Sequence, residues 1–127
     1  MFYDNIYLEV INMRLINKNL IEIKKSKFYG YYYEVDTTEE VDNILKEIKK
    51  EHKKARHVCY GYKIDNLVKR TDDGEPSGTA GIPIFTIIEK KELNHILIIV
   101  VRYFGGIKLG AGGLFRAYMQ TSNELVK

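Results

Sequence analysis

The sequence predicts an α+β domain, a two-layer sandwich in which a four- to five-stranded mixed sheet carries helices on one face. Segments with the alternation and the aromatic or β-branched content of strands recur along the chain, separated by segments with helical spacing of apolar residues. The most apolar run, residues 96–101, is typical of a central strand covered on both faces. A chain of 127 residues is long enough for one such domain with its own core.

In the first half, strands are predicted over residues 20–23 and 28–35, joined by a tight basic turn at residues 24–27. Thr37 then offers a helix N-cap with Glu40 three residues later, the pattern of a capping box. The apolar residues that follow share one helical face, so this helix is expected to lie on the sheet. They are Val41, Ile44, Leu45 and Ile48.

In the second half, a strand is predicted over residues 57–64 and a short strand over residues 67–71, with a turn between them. A helix is expected over residues 80–91, where Pro83 is tolerable because it lies near the helix start. The apolar strand then runs to residue 104, and a closing helix is expected over residues 114–126. Residues 14–127 form the predicted domain, and residues 1–13 an N-terminal extension of uncertain structure.

Composition favours a cytoplasmic protein without a membrane partner, because no apolar run is long enough to cross a bilayer and no signal peptide is evident. The lone Cys59 rules out an internal disulfide and fits a reducing compartment. The net charge is only +3, yet 14 of the 20 Lys and Arg residues fall within residues 14–70. The lysine pairs there are interpreted either as a solvated helix face or as a means of attracting phosphates.

Residues 70–81, called the acidic loop below, combine carboxylates, glycines and hydroxyls that suit neither helix nor strand. Asp72, Asp73 and Glu75 could hold a divalent metal, but the spacing of a calcium loop is absent. Ser77 suggests a nucleophile, yet the pattern is not Gly-x-Ser-x-Gly. We therefore expect Asp72 and Asp73 to accept backbone N–H bonds in a tight turn, and Ser77 or Thr79 to cap the next helix.

Residues 105–113, called the glycine loop below, follow the apolar strand and precede a helix, a layout that presents backbone N–H groups to an anion. The phosphate-loop and dinucleotide patterns both fail here, so we expect no nucleotide cofactor. The alternative is that these glycines only let backbones approach closely.

Arg102, Tyr103, Lys108 and Arg116 form a predicted cationic and aromatic set suited to phosphate or stacked-base contacts. The alternative for Arg102 is an ion pair with the acidic loop. His57 and Cys59 share a strand face at a spacing that allows two metal ligands. Zinc would need further soft ligands and no second cysteine exists, so no metal site is predicted.

Residues 70–83 (RTDDGEPSGTAGIP) together with residues 100–118 resemble the signature of the IMPACT/YigZ family. The resemblance runs from about Leu20 to the C-terminus, with small departures at Gly61 and Phe115. Bacterial members usually carry a second, ferredoxin-like domain, so this chain resembles a single-domain member that lacks it. Further matching residues are Ser26, Lys27, Phe28, Ala55, His57 and Cys59.

The resemblance implies a fold like the second domain of a small-subunit ribosomal protein and domain IV of elongation factor G, and a role in translation. Eukaryotic relatives regulate translation by binding a scaffold that activates an amino-acid-starvation kinase, and RNA or ribosome binding is the usual proposal for bacterial relatives. The expected function is therefore a non-enzymatic, translation-associated regulator that binds RNA, the ribosome or a translation-related protein.

The predicted binding residues lie in the two loops and beside them: Asp72, Asp73, Glu75, Ser77, Thr79, Arg102, Tyr103, Lys108 and Arg116. The alternative is a hydrolase acting on a phosphorylated or peptide substrate, with Asp72, Asp73 and His57 in acid, base or metal roles.

Overall fold

The computed structural model describes residues 14–127, and the predicted extension, residues 1–13, lies outside the described residues. Five strands and three helices follow one another along the chain. In order they are β1 (Leu15–Ile23), β2 (Ser26–Glu34), α1 (Thr38–Glu51), β3 (His57–Ile64), β4 (Leu67–Thr71), α2 (Gly81–Lys90), β5 (Ile96–Tyr103) and α3 (Gly110–Leu125). The predicted α+β class is confirmed.

The five strands form one sheet in the order β1-β2-β5-β3-β4, and every neighbouring pair is antiparallel. The prediction of a mixed sheet is therefore wrong. The strands β2 and β3, which α1 connects, do point the same way, but β5 lies between them and runs opposite to both. The crossover through α1 thus creates no parallel pair.

Helices cover both faces of the sheet, so the prediction of two layers with helices on one face is also wrong. Along β5, Ile98 and Val100 face the cluster that includes α2 and α3, whereas Leu97 and Ile99 face the cluster that includes α1. Successive side chains of a strand point to opposite faces, and an apolar strand such as β5 must be covered on both. The domain therefore has three layers, with β5 buried at its centre.

The predicted helix α1 begins with the expected cap. The Thr37 hydroxyl accepts the backbone N–H of Glu40 at 3.1 Å. The Glu40 carboxylate accepts the backbone N–H of Asp36 at 2.8 Å, one residue earlier than in a standard capping box. The four residues predicted for the apolar face are all buried, so local periodicity and tertiary packing agree in this helix.

The closing helix α3 begins at Gly110, four residues before the predicted start. Gly110 has φ +75°, which marks the turn into the helix. The helix is held by packing from Leu114 onward, where Leu114, Ala117 and Tyr118 are buried on one helical face, whereas the added first turn is mostly exposed. The second half of the glycine loop is therefore the first turn of a helix, with its N–H groups directed away from the helix body.

Among residues 14–127, no helix combines the length and apolar character needed to cross a membrane.

Candidate functional site

The Asp72 carboxylate organises the acidic loop. It accepts three backbone N–H bonds, from Gly78 at 2.9 Å, Ala80 at 3.1 Å and Gly81 at 2.8 Å. Burial alone would raise the pKa of Asp72, but these three bonds outweigh it and lower the pKa below its ordinary value of 3.8. Asp72 therefore closes the loop and supplies acceptors at the start of α2.

This arrangement corrects the predicted cap of α2. The N-cap residue is Ala80, and no side chain of the cap residue is bonded there. Thr79 is buried and its hydroxyl donates to the carbonyl of Pro76 at 2.6 Å. Ser77 is exposed and lines a separate groove of about 200 Å³ beside Arg70. Neither hydroxyl caps α2, because the Asp72 carboxylate reaches the same N–H groups from earlier in the chain.

The first residues of β3 hold the acidic loop against the sheet. The Val58 N–H donates to the Asp73 carboxylate at 2.7 Å, so Asp73 is a backbone acceptor as predicted, but its donor lies in β3 and not in the turn. His57 Nδ1 lies 2.7 Å from the Asp73 carbonyl and must donate, since a carbonyl only accepts. The Cys59 thiol donates to the Asp72 carbonyl at 3.1 Å, and burial raises the pKa of this thiol.

The hydrogen bonds of this cluster thus hold the acidic loop against β3. Within residues 14–127, no three His, Cys, Asp or Glu side chains come together in a way that could hold a metal ion.

Glu75 points into the domain and forms a buried ion pair with Arg102. The Arg102 Nη1 atom lies 2.9 Å from both carboxylate oxygens of Glu75, and the two residues are only 6% and 7% exposed. The Tyr118 hydroxyl donates to the same carboxylate, and His57 Nε2 lies 3.3 Å from it. Buried charges persist only when paired and hydrogen-bonded, and here Arg102 and Tyr118 both donate to the one carboxylate. The alternative interpretation of Arg102, an ion pair with the acidic loop, is confirmed.

Arg102 is also enclosed by aromatic rings. It lies between Phe28 and His57 in the register of the sheet, and its guanidinium carbon is 5.8 Å from the centre of the Phe28 ring and 5.6 Å from that of Phe104. Arg102 Nη2 donates to the Ser26 hydroxyl at 3.4 Å. Its Nε atom makes no hydrogen bond to any residue within 14–127. Arg102 is thus a buried residue whose contacts join the acidic loop to β2, and it is not an exposed cation.

Tyr103 lies on the opposite face of the sheet from Arg102. Its hydroxyl is 2.6 Å from His52 Nδ1, and His52 Nε2 is 2.7 Å from the Tyr31 hydroxyl. Burial lowers the pKa of His52 below its ordinary value. The expected compact set of Arg102, Tyr103, Lys108 and Arg116 therefore does not form as a whole, because consecutive strand residues cannot share a face.

A cleft of about 470 Å³, called the near cleft, opens above the buried ion pair. The acidic loop forms one wall and the start of α3 the other. Arg56 and Lys108 are exposed in this cleft, and neither forms an ion pair within residues 14–127. The Arg56 guanidinium carbon lies 5.3 Å from the centre of the Phe104 ring. The lining residues are Arg56, His57, Gly74, Glu75, Pro76, Arg102, Phe104, Lys108, Leu109, Gly110, Ala111 and Leu114.

A second cleft of about 320 Å³, called the far cleft, contains Arg116. Lys24, from the turn between β1 and β2, lines it as well. Leu109 belongs to the linings of both clefts, so the two are adjacent. Lys108 and Arg116 therefore lie on either side of a shared wall rather than in one pocket.

Comparison with known proteins identifies the family. Residues 24–126 match the model of the Impact N-terminal domain. The chain belongs to the IMPACT family. It is 47% identical over 107 residues to the IMPACT family member YvyE of Bacillus subtilis, covering 82% of this chain and 49% of that protein. It is 36% identical over 111 residues to the IMPACT family member YigZ of Escherichia coli, covering 84% and 54%. The chain thus spans about half the length of the curated relatives it matches.

Solved structures support the same fold. A crystal structure described as that of a hypothetical protein superposes with a TM-score of 0.84 at 35% identity, over 87% of this chain and 56% of that one. The structure of the two-domain translational regulator Yih1 gives a TM-score of 0.58 at 24% identity, over 90% of this chain and 46% of that one. The second likeness shows the fold alone.

In this IMPACT domain, Arg56 and Phe104 line the near cleft and Tyr118 contacts Glu75, although none of the three was among the predicted binding residues. Arg56 directly precedes the first residue of β3, and Phe104 directly follows the last residue of β5. The start of β3 and the end of β5 lie at the same end of the sheet, and a side chain directly beyond a buried strand is a usable signal for a site residue. Tyr118 lies four residues after Leu114 on the buried face of α3, and its hydroxyl needed a partner there.

Proposed function

We propose that this domain is a non-catalytic docking module associated with the regulation of translation. It binds RNA, the ribosome or a translation-related protein through the surface around the near cleft, and it works in the cytoplasm, where translation takes place. Membership of the IMPACT family supports the proposal, and the fold is shared with a protein described as a translational regulator.

One observation carries the non-catalytic part of the proposal: each carboxylate of the acidic loop already has structural partners. Asp72 accepts N–H bonds at the start of α2, Asp73 accepts the Val58 N–H, and Glu75 neutralises Arg102. A general acid, a general base or a metal ligand must be free to meet a substrate or an ion. Carboxylates held in this way are suited to shaping a surface.

The remaining candidate groups for hydrolysis are also separated. Ser77 lines a different groove from His57, and no hydrogen bond joins the two among the described residues, as a nucleophile and its base would require. The Cys59 thiol is buried and its pKa is raised, which keeps it in the unreactive protonated form.

The docking part of the proposal rests on the exposed cations of the near cleft. Arg56 and Lys108 both line it, without carboxylate partners among the described residues. Unpaired cations around a concave surface attract anionic partners and speed their encounter. RNA phosphates and acidic protein surfaces both meet this requirement.

The test is co-sedimentation with purified ribosomes. The variant Arg56→Ala/Lys108→Ala should bind several-fold more weakly than the wild type at moderate salt. The variant Lys46→Ala/Lys49→Ala removes the same charge from exposed residues of α1, on the other side of the sheet, and should bind like the wild type. Equal binding by all three proteins, or turnover of a phosphorylated or peptide substrate that Asp73→Asn abolishes, would contradict the proposal.

A further inference from the structure

The two clefts belong to a region of the chain without acidic residues. Residues 93–123 contain no Asp or Glu, although the whole chain has 17. The near and far clefts have one carboxylate in their linings, Glu75, and it is buried in its ion pair with Arg102. The exposed charge of both clefts is therefore positive and not neutralised by the described residues around it.

The cations of the two clefts form a continuous series. Arg56 and Lys108 line the near cleft, Arg116 and Lys24 line the far cleft, and Leu109 is common to both linings. None of the four forms an ion pair within residues 14–127. We call these four residues the basic track. A series of positive charges along a surface matches a polyanion better than it matches a single anion.

The position of Lys24 in this series is fixed by close packing. A Cβ atom at Gly105 would lie 2.1 Å from the backbone carbonyl of Lys25, so only glycine allows the turn between β1 and β2 to touch the glycine loop. The Gly105 N–H also donates to the Ser26 hydroxyl at 3.3 Å. These contacts hold Lys24 beside the start of α3, so backbone packing determines the position of the far cleft.

The backbone of the glycine loop adds further positive potential. No acidic side chain lies in the first turn of α3, and no side chain caps it. Gly106 and Gly110 both have positive φ, and no atom lies within 4 Å of the position that a Cβ would take at either residue. The backbone is therefore open beside Lys108, where it can approach a phosphate.

An aromatic surface lies at one end of the basic track. Phe104 is 37% exposed, and the Arg56 guanidinium lies over its ring. Planar guanidinium groups and phenyl rings are the surfaces on which unpaired nucleobases stack. Paired bases in a duplex are already stacked and do not reach such a surface, so the arrangement favours a single strand.

From these observations we propose that the ligand of this surface is a single-stranded RNA segment. Its phosphates contact Arg56, Lys108, Arg116 and Lys24, and one base stacks on the Arg56–Phe104 pair. This inference rests on the proposed function and names the ligand of the same surface.

The test measures fluorescence anisotropy of a labelled 12-nucleotide oligouridine across a series of salt concentrations. The near-cleft variant Arg56→Ala/Lys108→Ala and the far-cleft variant Lys24→Ala/Arg116→Ala should each weaken binding. Each should also reduce the slope of log affinity against log salt by about 1.4, since two contacts to a single strand are lost. Phe104→Leu should weaken binding about 5- to 100-fold with the salt slope unchanged, because it removes stacking and no charge.

Two controls make the result decisive. The variant Lys46→Ala/Lys49→Ala should bind the oligonucleotide like the wild type, and a 12-base-pair RNA duplex should compete poorly. Equal losses in this control variant, a salt slope unchanged in the far-cleft variant, or an equally effective duplex would each overturn the inference.

Failure of the inference can be distinguished from failure of the proposed function. If the wild type binds no oligonucleotide but still co-sediments with ribosomes through Arg56 and Lys108, the RNA ligand is wrong and the docking surface stands. The partner would then be folded ribosomal RNA or an acidic protein surface. If neither binding occurs, both proposals are wrong.

Discussion

The acidic loop and the glycine loop are both dense in charged or flexible residues, yet the fold uses them in opposite ways. The acidic loop directs its charge inward: Asp72 binds backbone N–H groups and Glu75 binds Arg102. The glycine loop carries Lys108 at the surface, where no carboxylate of the described residues pairs with it. The conspicuous motif thus has its carboxylates occupied within the fold, and we propose that binding uses the loop whose charges are unpaired. Substitutions at Arg102, Gly105 and Asp72 can break or sharpen this contrast, and one at His95 tests a cross-link outside the two loops.

The largest effect is expected from the buried ion pair. Arg102→Met leaves the Glu75 carboxylate buried without its cationic partner and should lower the free energy of unfolding by about 3–5 kcal/mol. Urea denaturation followed by circular dichroism measures this loss. The matched control is Arg56→Met, which changes an exposed arginine in the same way and should stay within about 0.5 kcal/mol of the wild type. Similar losses of unfolding free energy in the two variants would contradict the difference between the buried, paired Arg102 and the exposed, unpaired Arg56.

The next effect concerns the contact between the glycine loop and the turn of β1 and β2. Gly105→Ala places a methyl group against the Lys25 backbone and should cost about 1–3 kcal/mol, as overpacking usually does. Because the turn must move, oligouridine binding should weaken as well. Gly106→Ala is the control: it meets no neighbour, so it should reduce stability through its positive φ while leaving the far cleft intact. Full RNA affinity in the Gly105 variant would contradict the role given to this contact.

A smaller loss is expected at the start of α2. Asp72→Ala removes the acceptor of three backbone N–H groups and should cost about 1–2 kcal/mol, like the loss of an N-cap. The pKa of Asp72 is lowered in the folded state, so its contribution is present above the ordinary value of 3.8 and is lost as pH falls through the lowered value. Thermal denaturation at neutral and acidic pH should therefore show the wild type converging on the variant in acid. A gap that is unchanged by pH would be inconsistent with this cap.

The smallest effect belongs to His95, far from both loops. Its ring nitrogens lie 3.0 Å from carboxylate oxygens of Asp36 and of Asp65, and these contacts raise the pKa of His95 above 6.5. A raised pKa means that the stabilisation is complete below pH 6.5 and is lost as pH rises through the folded-state value. The same contacts help to lower the pKa of Asp36 and Asp65, so the cross-link is also lost in acid.

The measurement is the thermal midpoint of wild type and His95→Asn at about pH 5 and about pH 9. Asparagine suits the replacement because His95 has φ +57°, a conformation that asparagine tolerates. The wild type should be more stable than the variant at the lower pH, with the difference shrinking at the higher pH. A difference that grows with pH would contradict the protonated cross-link.

Most of the fold could be predicted from the sequence because local signals decided it. The capping box at Thr37 and the apolar face of α1 sufficed for that helix. The number of layers was predicted wrongly although the signal was present. The unbroken apolar run of β5 requires helices on both faces of the sheet, and helices were predicted on only one face. The relative direction of the strands was also predicted wrongly. It depends on the position of β5 between β2 and β3, which is a long-range contact that local turns and residue propensities do not determine.

The site was less predictable than the fold. The pairing of Arg102 with the acidic loop was one of two open interpretations, and only the register of β5 beside Phe28 and His57 decides it. Tyr103 was wrongly grouped with Arg102 even though strand alternation separates neighbours. The far cleft could not be foreseen, since it needs Gly105 to contact Lys25, two residues 80 positions apart in the chain.

The central place of β5 also bears on how the chain is made. The strands β2 and β3 are complete by residue 64, yet both pair with a strand that begins only at Ile96. During synthesis each must wait, with the backbone N–H and C=O groups of one edge unpaired and its apolar side chains uncovered, until nearly the whole domain has left the ribosome. We therefore expect nascent chains that end before β5 to remain protease-sensitive and to recruit chaperones, with protection appearing abruptly once β5 has emerged. Such late, long-range closure is also the hallmark of slow folding.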